Sequence, residues 1–142
     1  MKNIKMINWI LVAIVALYFF LSAYIDLAHT PQAVETVKKL GYSEYFLDIL
    51  GIAKVLGIIA LLTPKFNRLK EWAYAGFTFD AISAIWSNIA SGYPTESIAA
   101  VIAIVLLMPS YIVFRKLQYE IHAESANKYS FMKRETKIRP LA

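Results

Sequence analysis

Two stretches of this chain, Ile7–Ile25 and Ser97–Phe114, run for 19 and 18 residues without one charged side chain. A helix rising ~1.5 Å per residue needs about 20 residues to cross a hydrocarbon core of ~30 Å, so each stretch has the length of a membrane span. Two further segments come close. Phe46–Thr63 carries Lys54 near its centre and is closed by Pro64, and Trp72–Ile89 is interrupted only by Asp80 before the turn-forming Ser-Gly-Tyr-Pro. Lipid offers backbone groups no hydrogen-bond partner, so four such segments read as helices and not as strands. The expected fold is all-α, an integral membrane four-helix bundle running up, down, up, down over residues 1–114, with a basic cytoplasmic tail over 115–142. A composition 58% hydrophobic places the chain in the same class. Lys2 and Lys5 before the first span would suit a signal peptide, but the apolar run is long for one and no clean cleavage site follows it.

The distribution of cations gives an expected orientation. Lysines and arginines outside the spans number two before the first (Lys2, Lys5), three between the second and third (Lys65, Arg68, Lys70) and seven in the tail, against Lys38 and Lys39 alone on the other side. Twelve against two predicts a multi-pass protein with both termini cytoplasmic. Trp9, Tyr24, Tyr45, Trp72, Trp86, Tyr93 and Tyr111 fall near the predicted boundaries, where interfacial aromatics belong. In the first outer loop, Thr30 as N-cap, Pro31 at the first helical position and Gly41 past the end predict a short interfacial helix. The tail holds seven basic residues and three acidic ones (Glu120, Glu124, Glu135), a balance that predicts attraction to anionic lipid. Topology accounts for the basic excess and the tail lacks interleaved aromatics, so no nucleic-acid partner is expected.

Chemistry is bounded by what is missing. The chain has no cysteine, which excludes disulfides, thiolate metal sites and dithiol relays. His29 and His122 fall on opposite faces of the expected bilayer, so no metal site is expected. The charges inside the spans are the remaining signal. Lys54 lies roughly 12 Å and Asp80 roughly 13 to 14 Å from the outer ends of adjacent spans, so an ion pair between them is expected. Gly76, Asp80, Ser83 and Ser87 share one helical face, as do Tyr18, Ser22 and Asp26 in the first span. Gly51, Ala53 and Gly57 would let helices approach closely. The candidate ligand-binding seam is therefore Tyr18, Ser22, Asp26, Lys54, Asp80, Ser83, Trp86 and Ser87. Asp26 and Asp48 are expected at its outer end in contact with water, and His29 as a structural residue of the interface. A buried pair that only fixes helix register accounts for Lys54 and Asp80 equally well.

"LGYSEYFLDILGIAKVLGIIALL" followed by "RLKEWAYAGFTFDAISAIWSNIASG", with its "LG-x-x-K-x-LG" core and "EWAYAGFxFD", resembles the DoxX-like family of small four-helix bacterial membrane proteins over roughly residues 7 to 114. The resemblance implies that Lys54 and Asp80 belong to the family pattern, and a bacterial inner-membrane location. Family members often carry histidine where this chain has Asn88, which leaves the seam without an imidazole. Some relatives form part of a thiosulfate:quinone oxidoreductase and others are partners of redox-stress enzymes. The charge pair and polar stripe point to an accessory membrane protein that binds a small amphipathic molecule in the seam, and the resemblance implies a link to membrane redox processes, with quinone as the candidate cofactor and a redox protein as a candidate partner. Two alternatives stay open: a subunit of a quinone-linked oxidoreductase, and a transporter of protons or a small solute.

Overall fold

The computed structural model describes residues 2–64 and 66–138, with side chains to residue 134. Lys65, the side chains of Glu135 and Lys137, and Arg139 with the remaining residues to 142 lie outside that description, so their part in the charge balance rests on sequence alone. Among the described residues the chain is all-helical. It comprises α1 (Lys2–Leu27), a short α2 (Pro31–Lys39), α3 (Tyr45–Leu62), α4 (Asn67–Ala90), a 3-10 turn (Pro94–Ser97) and α5 (Ile98–Ile138). The helix α1 packs on α3 and α5, and α4 packs on the same two, so the four long helices enclose a common interior.

Three of the helices, α1, α3 and the one built on α5, are long and apolar enough to cross a membrane. The fourth, α4, falls short by composition: Asn67, Arg68, Lys70 and Glu71 fill its first turns, and Asp80 with several small polar residues occupies its middle. Side chains are distributed inside out relative to a water-soluble bundle. Large apolar groups such as Leu17 and Trp86 face outward, whereas Asp26, Lys54, Asn8, Asn88 and Ser110 are buried. Such a surface is suited to lipid.

The helix ends are set by local chemistry. Thr30 accepts a hydrogen bond from the backbone N–H of Ala33 at 3.4 Å, and Pro31 occupies the first turn of α2. Gly41, at φ 83°, closes α2 with the paired bonds Gly41 N to Lys38 O (3.0 Å) and Tyr42 N to Val37 O (2.8 Å). His29 ends α1 in the same way, at φ 47°, with its own N–H on Asp26 O (3.1 Å) and Thr30 N–H on Ile25 O (3.4 Å). A residue with a Cβ pays roughly 1–2 kcal/mol for that conformation. At the far end of the chain α5 does not stop at Phe114. It continues for 41 residues, about 62 Å, twice the thickness of a hydrocarbon core. Charge ends a span but not a helix, and Lys116, Leu117, Gln118 and Glu120 are good helix formers.

The apolar core is centred on Phe19 of α1 and Phe77 of α4, stacked with ring centroids 3.9 Å apart, and filled in by Val12, Val15, Leu61 and Leu107. Gly57 of α3 lies against the Phe77 ring: a Cβ added there would come within 2.6 Å of Phe77 Cζ. A small cluster of Ala33, Val37 and Leu47 seats α2 on α3.

Candidate functional site

The charged centre of the molecule is built on Lys54. Its Nζ donates to Asp26 Oδ2 at 2.6 Å and to Ser22 Oγ at 3.0 Å, both from α1, and lies 3.7 Å from Asp80 Oδ2 of α4. Lys54 is only 8% exposed and Asp26 equally little. The helical period explains the first two contacts, since residues 22 and 26 are one turn apart on one face of α1. Gly51 explains their closeness. A Cβ at that position would meet Leu27 Cγ at 2.5 Å and Ala23 O at 3.4 Å, so the missing side chain brings α1 and α3 together at this level.

The sequence reading paired Lys54 with Asp80 and left Asp26 to water; the structure reverses that order. Asp26 is the close, buried partner, and Asp80, beyond hydrogen-bond length, is an electrostatic neighbour whose side chain keeps 25% exposure. Asp80 stands farther off because α3 and α4 are separated here by a cleft of about 170 Å³. It is lined by Leu50, Ala53, Lys54 and Gly57 on one side and by Trp72, Gly76, Phe77 and Asp80 on the other. Gly76 faces this open space: a Cβ there would meet nothing within 4 Å. The cluster as ionised carries one more carboxylate than cation, and the surplus group is on the cleft wall.

The other predicted seam residues are dispersed. The Tyr18 hydroxyl donates to the carbonyl of Ala99 at 2.6 Å, tying α1 to α5. Ser87 shares a hydrogen bond of 3.0 Å with the Tyr42 hydroxyl. Ser83 is exposed, and Trp86, at 76% exposure, is turned outward. The face of α4 that is buried runs instead through Lys70, Tyr74, Phe77, Ala81 and Asn88. The stripe at 76, 80, 83 and 87 borders this face without coinciding with it. Trp72 and Phe77 were not marked as cleft residues by the sequence reading. Trp72, four residues before Gly76, continues the spacing of the stripe and could have been read from it; Phe77 lies off that spacing and could not.

Asp48 is half exposed, and its Oδ1 lies 2.8 Å from His29 Nε2. The rest of this end of the bundle is neutralised by nearby pairs: Lys38 with Glu44 at 2.6 Å, and Lys39 with Glu35 at 2.9 Å. The Lys38 ammonium holds the exposed Glu44 carboxyl below the usual carboxylate range, and Glu35 raises the Lys39 ammonium. At the opposite end Lys70 is buried, with its Nζ 5.4 Å from the centroid of the Trp9 ring, a cation–π contact that joins α4 to α1.

A family model described as the DoxX-like family matches residues 10–110, which takes in every residue of the charged centre and the cleft. No curated protein and no solved structure matches the chain.

Proposed function

The chain belongs to the DoxX-like family, and from that premise and the charged cleft we propose that it is a four-span bacterial inner-membrane protein that holds the polar head of a small amphipathic molecule, such as a quinone, between α3 and α4. The observation that carries this reading is the asymmetry around Lys54. Two of its donors are taken by Asp26 and Ser22, so the group with capacity to spare is the Asp80 carboxylate at the cleft wall. A carboxylate accepts hydrogen bonds and cannot donate, so a ring bearing a hydroxyl is the better match. The hydroxylated form of a quinone fits that requirement, with Trp72 and Phe77 offering ring faces. The volume, below the roughly 300–1,000 Å³ of pockets for drug-sized ligands, suits one ring and leaves a tail outside in lipid.

A bound quinone would supply the redox chemistry. The chain's own contribution is to orient the head and to accept a hydrogen bond at Asp80. Electrons would pass to or from a partner protein, which makes this chain an accessory and not an enzyme by itself. In the proposed topology α4 is the fourth span, since its single deep charge faces Lys54 and not acyl chains. Both termini are cytoplasmic, α2 lies at the outer interface, and the basic tail faces anionic lipid.

Trp72 provides the test. With Trp9 and Trp86 replaced by phenylalanine, a short-chain quinone added to the protein in nanodiscs quenches Trp72 fluorescence saturably, and the matching quinol competes. Gly76→Leu fills the cleft and removes both effects, while Asp80→Asn weakens competition by the quinol. Quenching that stays linear with concentration, or that is the same in Gly76→Leu, would refute the assignment.

A further inference from the structure

Glu71 stands where two hollows between α4 and α5 meet, and the hollows form one continuous trough. One part, of about 340 Å³, is walled by Ala75, Phe79 and Ile82 of α4 and by Ile104, Leu107 and Met108 of α5. The other, of about 420 Å³, is walled by Asn67, Arg68, Arg115, Gln118 and His122. Ile104, Met108, Tyr111, Arg115, Gln118 and His122 follow one another at steps of three or four residues, so a single face of α5 passes from hydrocarbon to cationic. The change falls at Glu71 and Arg115, whose side chains are bonded at 2.8 Å. From Glu71 to Ile82 the apolar part is roughly 16 Å long, about half of a ~30 Å hydrocarbon core and so one leaflet deep.

Thr78 and Tyr74, at the wall of the apolar part, are already satisfied. The Thr78 hydroxyl donates to the Tyr74 carbonyl at 2.7 Å, and the Tyr74 hydroxyl is bonded to Ser110 Oγ at 2.7 Å. An occupant there meets hydrocarbon. At the cationic end the amides of Asn67 and Gln118 exchange two bonds, at 2.7 and 3.1 Å, which fixes the helix separation. Arg68 makes no ion pair among the described residues. His122 Nδ1 lies 2.7 Å from the carbonyl of Gln118, which can only accept, so Nδ1 carries the proton and Nε2 is turned to other use.

We propose that this trough is a binding site for one anionic phospholipid, its phosphodiester against Arg68 and Arg115 and one acyl chain along the apolar part. Charge complementarity selects the head and the depth of one leaflet selects the chain. The site rests on the reading that this end of the bundle lies at a membrane surface. It is independent of the α3–α4 cleft, so either site can fail without the other.

Native mass spectrometry of the full chain released from mixed micelles of phosphatidylglycerol and phosphatidylcholine tests it. One phosphatidylglycerol is expected to stay bound in preference to phosphatidylcholine. Arg68→Gln should weaken that binding about fivefold, the effect of one cation near a membrane surface. Lys116→Gln removes the same charge from an exposed position outside the trough and should leave it unchanged. Ala75→Phe, which fills the apolar part, should weaken it as well. Glycerol phosphate, a head without chains, should not displace the lipid. Equal retention of both lipids, or equal behaviour of Arg68→Gln and Lys116→Gln, would overturn the proposal. So would displacement by glycerol phosphate, which would mark a free-phosphate site, or Ala75→Cys cross-links between copies, which would mark a helix interface.

Discussion

Lys54 has two carboxylates within reach, but they do different work. Asp26 is held at 2.6 Å on a closely packed helix, with its side chain only 12% exposed, and Asp80 is at 3.7 Å beside a cleft. Removing the cation while keeping its length, as in Lys54→Met, leaves buried negative charge unpaired. The expected loss is about 3–5 kcal/mol in an unfolding titration in mixed micelles. Asp26→Asn should cost about 1.5–3 kcal/mol, the worth of a hydrogen bond to a charged group. Asp80→Asn behaves differently, because it removes the surplus carboxylate and leaves one cation facing one anion. Its stability should equal or exceed that of the parent chain. If Asp80→Asn proves as damaging as Asp26→Asn, the unequal division of labour around Lys54 is wrong.

At the scale of the helix, two glycines on the cleft walls make opposite predictions. Gly57 is pressed against Phe77, whose ring is stacked on Phe19. Gly57→Ala should therefore cost about 1–3 kcal/mol through overpacking. Gly76 faces open space, so Gly76→Ala should be neutral or should stabilise by up to about 1 kcal/mol through helix propensity. Thermal unfolding of the two variants side by side distinguishes them, and equal losses would mean that α3 and α4 do not meet as described. The notation of a helical face in sequence could not separate these cases. Gly57 read as a small residue suited to close approach and Gly76 as part of a polar face, and only the rotation of α4 decides which one touches a ring. The ends of α2 were easier to read, because Thr30, Pro31 and Gly41 act on backbone groups within a few residues of themselves.

For the molecule as a whole, the absence of native cysteine makes topology directly measurable. Ser43→Cys, in the exposed connection before α3, should react with a membrane-impermeant maleimide in intact cells, and Asn127→Cys, exposed on α5, should react only after lysis. The reverse pattern would invert the proposed orientation. The apolar runs of α1, α3 and α5, the helical character of the chain and the capping of α2 followed from sequence, because hydropathy, backbone satisfaction and capping depend on composition and near neighbours. The sequence reading placed Lys54, Ser22, Asp26 and Asp80 in one polar seam, with Lys54 paired to Asp80 and Asp26 left to water. The tertiary structure alone decided how they divide. Partner choice depends on helix rotation and interaxial distance, which are set by packing at Gly51 against Leu27 and at Gly57 against Phe77, contacts between residues distant in sequence. For the same reason Ser83 and Ser87 share a helical face with Asp80 yet lie outside the cleft: a few tens of degrees of rotation, invisible in a linear pattern, separates a wall from its border.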